Sequence, residues 1–177
     1  MYILISIVFI ALGAIWLYAD PRPIRKRLSD KILHAYLVLL LIIAPQIISF
    51  YYFPLPYSSF DNIMIFSGII LFFMGFIIDI WARFTMGKYW GPPGQHDDSR
   101  QSKLITNGPF AYSRNPIYLG TFLLLLGFSL SLRSVFFFLP IIQMIYFNRK
   151  IKIEEKLLLK KFGKEYKRYC EEVSRFI

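Results

Sequence analysis

The stretch FDNIMIFSGIILFFMGFIIDIWA, which occupies residues 60–82, decides the fold. Apart from Asp61 near its start and Asp79 near its end, it carries no charged residue. A helix that crosses the hydrocarbon core of a bilayer needs about 20 predominantly apolar residues, and this stretch has that length and character. The sequence therefore predicts a membrane-spanning α-helix here.

Similar apolar runs lie on both sides of this stretch. They occupy residues 2–19, 32–53, 116–132 and 134–147. The last two are short enough to form a tight helical hairpin, and Pro45 and Pro140 are expected to kink their helices. The predicted fold class is all-α. We expect one integral membrane bundle of five transmembrane helices over residues 1–177, with a cytoplasmic helical tail at residues 148–177.

The composition agrees with a lipid solvent. Of the 177 residues, 56% are hydrophobic, whereas soluble domains hold about 45–50% apolar residues. Residues 1–18 lack the basic region that opens a signal peptide, so we expect a retained helix there. The single cysteine, Cys170, cannot form an internal disulfide. No Cys/His spacing typical of a metal site is present, so we expect no metal.

The distribution of Lys and Arg predicts the orientation of the bundle. The segment before the first run and the loop at residues 54–59 carry none, and the loop between the last two runs carries only Arg133. The others lie at residues 20–31, at residues 83–115 and in the tail. Because basic loops are enriched on the cytoplasmic side, we expect an external N-terminus and a cytoplasmic C-terminus. The formal charge of +10 then favours anionic membrane lipids as partners, and not nucleic acid.

Two cytoplasmic pieces are large enough to hold a reaction site, namely the loop at residues 83–115 and the tail. In the tail, residues 154–161 are typical of a helix that continues the fifth run, and Gly163 is a suitable end for it. Tyr166, Tyr169 and Val173 then follow at spacings of three and four. That spacing predicts a second, amphipathic helix.

The segment GPFAYSRNPIYLG, at residues 108–120, is the most informative part of the loop. Asn115 suits the N-cap of a helix and Pro116 its first position. The free N–H groups and the positive dipole end of a helix start are suited to a carboxylate. An ordinary helix cap with an interfacial tyrosine explains the same pattern, so the spacing alone leaves both interpretations open.

Charged residues at the ends of the apolar runs are further candidates. Glu154 and Glu155 are suited to a cation or to hydroxyl groups, and Lys150 lies one helical turn before Glu154. A solvated helix face with a Lys150–Glu154 pair, or a contact of Lys150 with lipid headgroups, explains these residues equally well. Asp79 and Arg83, four residues apart, predict a structural ion pair at membrane depth, and a functional role for the two residues is the alternative.

Several motif segments, taken in order, resemble the isoprenylcysteine carboxyl methyltransferase family and its phospholipid methyltransferase relatives. They are WARFTMG at residues 81–87, LITNGPF at 104–110, RNPIYLG at 114–120, EE at 154–155, FG at 162–163 and EY at 165–166. No single segment is specific, but the ordered set is. The resemblance covers the C-terminal part of the chain.

The resemblance implies S-adenosylmethionine as the cofactor, held between the loop at residues 83–115, called the third loop below, the start of the next helix and the tail. Glu154 falls on the family's cofactor-binding glutamate, with Glu155 beside it. The other residues that it assigns to the cofactor are Gln95, Ser102, Lys103, Leu104, Ile105, Phe110, Asn115, Pro116, Ile117 and Tyr118. Arg114, Asn115 and Lys150 are the residues that it assigns to catalysis.

The chain departs from the family pattern at three of these positions. Phe110 stands where the family usually has tyrosine, Asn115 where many members have histidine, and Lys150 where arginine is common. Asparagine remains a neutral donor, while lysine lacks the bidentate fork that arginine offers a carboxylate. The methylated atom therefore stays open between a carboxylate, a thiol and an amine.

The function expected from the resemblance is methyl transfer from S-adenosylmethionine to a lipid-like, lipidated or small hydrophobic substrate. The cofactor supplies the reactivity, and the protein holds the reactants in line. Aromatic groups such as Tyr118 are suited to contact with the sulfonium cation. Two alternatives stay open: an NADPH-dependent membrane reductase of the sterol-reductase type, and a non-catalytic membrane scaffold.

Overall fold

The computed structural model of the protein describes residues 30–89 and 102–177. These residues form α1 (Asp30–Tyr52), α2 (Asp61–Met86), α3 (Pro116–Ser131), α4 (Leu139–Phe162) and α5 (Lys164–Glu172). Two short 3₁₀ turns, Gly87–Tyr89 and Gly108–Ala111, lie between α2 and α3. No strand occurs within the two described ranges, and the predicted all-α class is confirmed for them.

Helices α1, α2 and α3 correspond to the second, third and fourth apolar runs. Helix α2 is long enough and apolar enough to cross a membrane unaided. Residues 40–52 of α1 and the whole of α3 form shorter apolar helical segments. The first predicted span, residues 2–19, lies outside the described residues, so the count of five transmembrane helices stays a prediction.

The fifth run differs from its prediction. Its helix, α4, begins at Leu139 and not at residue 134, because the preceding residues form turns. Pro140 lies in the first turn of α4, where the missing N–H needs no partner, so the expected kink at this proline was wrong. From there α4 continues without interruption to Phe162, as the tail sequence predicted.

Large apolar side chains cover much of the outer surface of the helices. Leu41 of α1, Phe66 and Ile77 of α2, and Ile145 of α4 are all exposed. Contiguous exposed apolar surface on this scale is unfavourable in water but normal against lipid. The surface therefore agrees with the membrane setting that the composition predicted.

Helices α2 and α3 pack closely through glycines. A Cβ added at Gly68 would lie 2.6 Å from the backbone nitrogen of Ser131, and one added at Gly75 would overlap the carbonyl oxygen of Gly120. Such contacts leave no room for a side chain. Small residues are typical of helix pairs in membranes, because backbone approach replaces the hydrophobic effect as the source of packing energy.

Arg133 joins the two loops at the end of the bundle that was predicted to be external. Its guanidinium pairs with Asp61 at 2.8 Å and donates to the carbonyl oxygens of Leu55 and Pro56. Asp61 is otherwise buried, at 5% exposure. The one basic residue on the predicted external side is therefore neutralised within the protein.

The tail folds back through a turn at Gly163. This residue ends α4 with φ of +51°, a conformation that favours glycine, and the prediction of a helix end here is confirmed. Helix α5 then presents Tyr166 and Tyr169 to the interior, where they pack with Leu104 of the third loop. Loop and tail therefore form one unit.

Candidate active site

A buried hydrogen bond joins the start of α3 to the middle of α4. The hydroxyl of Tyr118 donates to Oε1 of Glu154 at 2.6 Å. Both side chains are buried, Tyr118 at 5% and Glu154 at 8% exposure. The structure thus brings together two of the residues that the motif segments singled out, although they lie 36 positions apart in the sequence.

Aromatic and apolar side chains surround this pair. The ring of Phe147 packs edge-on against Tyr118, with 4.8 Å between the ring centroids. Ile117 packs against the cluster of Ala82, Ile105 and Phe110 from the loop and α2. Because both side chains of the Tyr118–Glu154 pair are buried, the electrostatic contact between them is stronger than it would be in water.

Asn115 begins α3 but does not cap it with its side chain. Its amide instead donates to the carbonyl oxygen of Arg175 at 3.2 Å, an oxygen that also accepts from Ser113 Oγ at 3.3 Å. The backbone N–H of Arg114 donates to the carbonyl of Ser174 at 3.0 Å. The helix start is therefore bound to the last residues of the tail.

Glu155 faces a different set of partners from Glu154. Arg175 donates to both of its oxygens, at 3.2 and 2.5 Å, and Arg114 pairs with it at 3.4 Å. The hydrogen bond to Glu155 raises the pKa of the Arg175 guanidinium above its ordinary value. The two adjacent glutamates thus divide their contacts, since Glu154 binds the α3 tyrosine while Glu155 binds two arginines.

The phenol of Tyr169 holds the loop from the other side. It donates to the carbonyl oxygen of Phe110 at 2.6 Å, and burial raises its pKa above the ordinary value. Phe110 and Leu104 are both buried. This bond fixes the Gly108–Ala111 turn against α5.

The remaining predicted residues differ in their exposure. Ser102 and Lys103 are exposed, while Ile105 is buried in the cluster with Phe110. The ammonium group of Lys150 lies over the ring of Tyr146, 5.6 Å from its centroid. Gln95 lies outside the described residues.

Asp79 and Arg83 make separate contacts. Asp79 is almost completely buried and accepts a hydrogen bond from Thr121 Oγ1 at 3.2 Å, across the α2–α3 contact. Arg83 donates to the carbonyl oxygen of Gly87 at 3.0 Å. The predicted ion pair of Asp79 with Arg83, both among the described residues, is therefore not formed. Asp79 instead binds Thr121, which lies one turn after Tyr118, and so fixes α3 against α2.

Sequence reasoning missed Ser113, Thr121 and Arg175 at this site. Ser113 and Thr121 lie within or beside a recognised motif segment, so proximity to Asn115 and Tyr118 was a usable signal. Arg175 had none, because a basic residue near the end of a basic tail is indistinguishable from its neighbours. Among residues 30–89 and 102–177, no three His, Cys, Asp or Glu side chains converge as metal ligands would.

An apolar helical bundle whose polar centre joins a loop, a helix start and a tail helix defines an α-helical membrane protein with an interior site. The profile of the phospholipid methyltransferase family matches residues 63–165. The chain belongs to this family, and the resemblance found in the motif segments is confirmed.

Two curated relatives and one solved structure are similar to the chain. Protein-S-isoprenylcysteine O-methyltransferase from Tribolium castaneum is 28% identical over 108 residues, which is 60% of this chain and 38% of the relative. The protein of the same name from Dictyostelium discoideum is 29% identical over 133 residues, 72% of this chain and 56% of the relative. The chain thus spans well under two thirds of these relatives.

The solved structure is described as the eukaryotic intramembrane Ras methyltransferase isoprenylcysteine carboxyl methyltransferase. It superposes with a TM-score of 0.71 at 22% identity, over 97% of this chain and 62% of the other. At this identity the match establishes a shared fold. That fold agrees with the helical membrane architecture described above.

Proposed function

We propose that the protein is a methyltransferase that uses S-adenosylmethionine and acts on a lipid-like or lipidated acceptor at the membrane surface. The observation that carries this proposal is the buried Tyr118–Glu154 bond. It joins the RNPIYLG and EE segments of a chain that belongs to the phospholipid methyltransferase family. A carboxyl group and a phenol that are buried together beside family motif segments are candidates for a ligand site.

The groups around this bond fit the chemistry of the proposed cofactor. Glu154 is an acceptor for the hydroxyl groups of a nucleoside, and the rings of Tyr118 and Phe147 are suited to a sulfonium cation. The start of α3 is suited to a carboxylate, and Nε of Arg114 is buried without a partner in the described part of the chain. S-adenosylmethionine, when bound, supplies an electrophilic methyl group.

The protein's own contribution is orientation and the exclusion of water. Positioning of this kind contributes about 7–11 kcal/mol to a two-reactant step. We assign Glu154, Tyr118, Pro116 and Ile117 to the cofactor, together with the loop residues that the resemblance implies. Lys150 faces the acceptor in this proposal, one turn before Glu154.

The catalytic assignment of Asn115 and Arg114 takes a more specific form. Their observed bonds run to Arg175, Ser174 and Glu155. We propose that they position the tail over the start of α3 and thereby keep the site closed. This role would affect methyl transfer without requiring contact with the acceptor.

The relatives' names favour a carboxyl oxygen as the methylated atom, since both are O-methyltransferases of isoprenylcysteine. A carboxylate needs no general base, whereas an amine must first lose a proton. We propose that the lipid part enters sideways between helices. The external N-terminus, the cytoplasmic C-terminus and the five-span count complete the proposed topology.

Calorimetry with purified protein tests the function directly. The unaltered protein is expected to bind S-adenosylmethionine, and Glu154→Ala is expected to abolish binding. Glu172→Ala is the matched control, because Glu172 is an exposed glutamate on the tail outside the motif segments and should leave binding unchanged. Absence of binding by the unaltered protein, or stabilisation by NADPH in its place, contradicts the proposal.

A further inference from the structure

Gln143 is a buried amide within an apolar part of α4. The segment LPIIQMIYF, at residues 139–147, is otherwise without a charged or amide side chain. Ile141, Ile142 and Ile145 of this segment face outward and are about half exposed, at 48%, 53% and 60%. Gln143 is only 5% exposed. It therefore points away from the surface that lipid covers and into the protein.

The side-chain oxygen of Gln143 accepts no hydrogen bond from any described residue. Buried polar groups are almost always paired, and a bare acceptor in apolar surroundings destabilises the protein. Gln46 on α1 also has a bare oxygen, but its amide nitrogen donates to the carbonyl of Phe136 at 2.9 Å. That bond gives Gln46 a structural role in joining α1 to the turn before α4.

Gln143 lies on the same helix face as the candidate active site. Residues four, seven and eleven positions apart fall on one side of an α-helix. Phe147, Lys150 and Glu154 stand at these three spacings from Gln143, and Phe147 contacts Tyr118. The unpaired oxygen of Gln143 thus lies on the side of the site nearer the apolar N-terminal half of α4. The lipid part of an acceptor would lie there.

We infer that Gln143 is a specificity-determining residue whose side-chain oxygen accepts a hydrogen bond from an N–H or O–H group of the lipid-like acceptor. This inference rests on the proposed methyl transfer and names one chemical requirement of its substrate. An acceptor that lacks the donor leaves the oxygen unpaired and gains no binding energy from it. The site therefore selects acceptors that carry a donor group close to their hydrocarbon chain.

Two matched acceptors test this inference. N-acetyl-S-farnesylcysteine and S-farnesyl-3-mercaptopropionic acid share the hydrocarbon chain, the thioether and the carboxylate, but only the first has an N–H group. For the unaltered protein, kcat/KM is expected to be about tenfold higher for the first, the effect of one hydrogen bond. Gln143→Met should bring the ratio close to one through KM and leave the affinity for S-adenosylmethionine unchanged. Gln46→Met is the control and should keep the ratio.

A second measurement separates this role from a structural one. Gln143→Met removes a buried amide oxygen that has no partner, so it should raise the Tm of the ligand-free protein while the preference between acceptors is lost. A purely structural glutamine would instead lower the Tm on replacement and alter both acceptors alike.

Three outcomes overturn the inference: equal use of the two acceptors by the unaltered protein, a ratio that Gln143→Met does not change, and turnover of neither acceptor by protein that binds S-adenosylmethionine. Failure to bind S-adenosylmethionine at all overturns the proposed function instead.

Discussion

The hydroxyl of Tyr118 lies 2.6 Å from Oε1 of Glu154 and donates a hydrogen bond to it in the interior of the protein. The two residues come from helices that run in opposite directions through the bundle. Their bond is the point at which the helix start after the third loop meets the beginning of the tail.

Tyr118→Phe removes this bond and keeps the ring contact with Phe147. Loss of a buried bond to a carboxyl group is expected to lower the free energy of unfolding by about 1–3 kcal/mol. The measurement is a double-mutant cycle of Tyr118→Phe with Glu154→Gln, in which thermal unfolding gives the stability of the unaltered protein, the two single variants and the double variant. A coupling energy near zero would contradict the geometry. Tyr112→Phe, at an exposed tyrosine of the same loop, is the control.

The glycine contact between α2 and α3 predicts a strong size limit. Gly75→Val places methyl groups where the backbone of α3 lies, and overpacking of this kind is expected to cost about 1–3 kcal/mol or to prevent assembly. Met74→Phe on the neighbouring, exposed face adds a larger group and should have little effect. The Tm in detergent distinguishes the two variants, and equal Tm values would refute the close contact between α2 and α3 at Gly75.

Removal of Arg133 should destabilise the end of the bundle that is predicted to be external. Arg133→Met leaves the carboxylate of Asp61 buried without its guanidinium, which is expected to cost about 1–3 kcal/mol. Adding Asp61→Asn should restore part of the loss, because a neutral amide is less costly to bury. Thermal unfolding of the single and double variants checks this, and a double variant no more stable than Arg133→Met would speak against the pairing.

The contacts of Glu155 separate a structural role from a cofactor role. Glu155→Gln weakens the bonds to Arg114 and Arg175, and α5 should then exchange its backbone hydrogens several-fold faster, which corresponds to about 1 kcal/mol. Glu171→Gln on the exposed face of α5 is the control. If α5 exchange is unchanged while S-adenosylmethionine binding is lost, Glu155 contacts the cofactor instead.

The phenol of Tyr169 predicts a loss of stability at alkaline pH. Burial raises its pKa, so above about pH 10, the ordinary tyrosine value, the unfolded chain releases a proton that the folded chain retains. The folded state then binds more protons, and its stability falls as the pH rises through this range. Tyr169→Phe should reduce this decline of Tm between about pH 9 and pH 11. A slope identical to that of the unaltered protein would contradict the prediction.

Much of the architecture was readable from the sequence. Apolar runs of membrane-spanning length, the helix start at Asn115–Pro116 and the helix end at Gly163 all follow from local preferences for hydropathy and backbone conformation. The start of α4 was misplaced because residues 134–138 are as apolar as the first turns of the helix that follows. Hydropathy reports burial in lipid, and it does not distinguish a helix from the turn that leads into it.

The sequence by itself determined the class of the protein, the order of its helices and the motif segments that place it in its family. Only the tertiary structure decided the partners: Glu154 with Tyr118, Glu155 with Arg114 and Arg175, and Asn115 with the carbonyl of Arg175. The physical reason is the separation along the sequence over which each effect acts. Hydropathy and capping depend on a few neighbouring residues, whereas these bonds join residues 20 to 60 positions apart and form only after packing has fixed which helix faces meet.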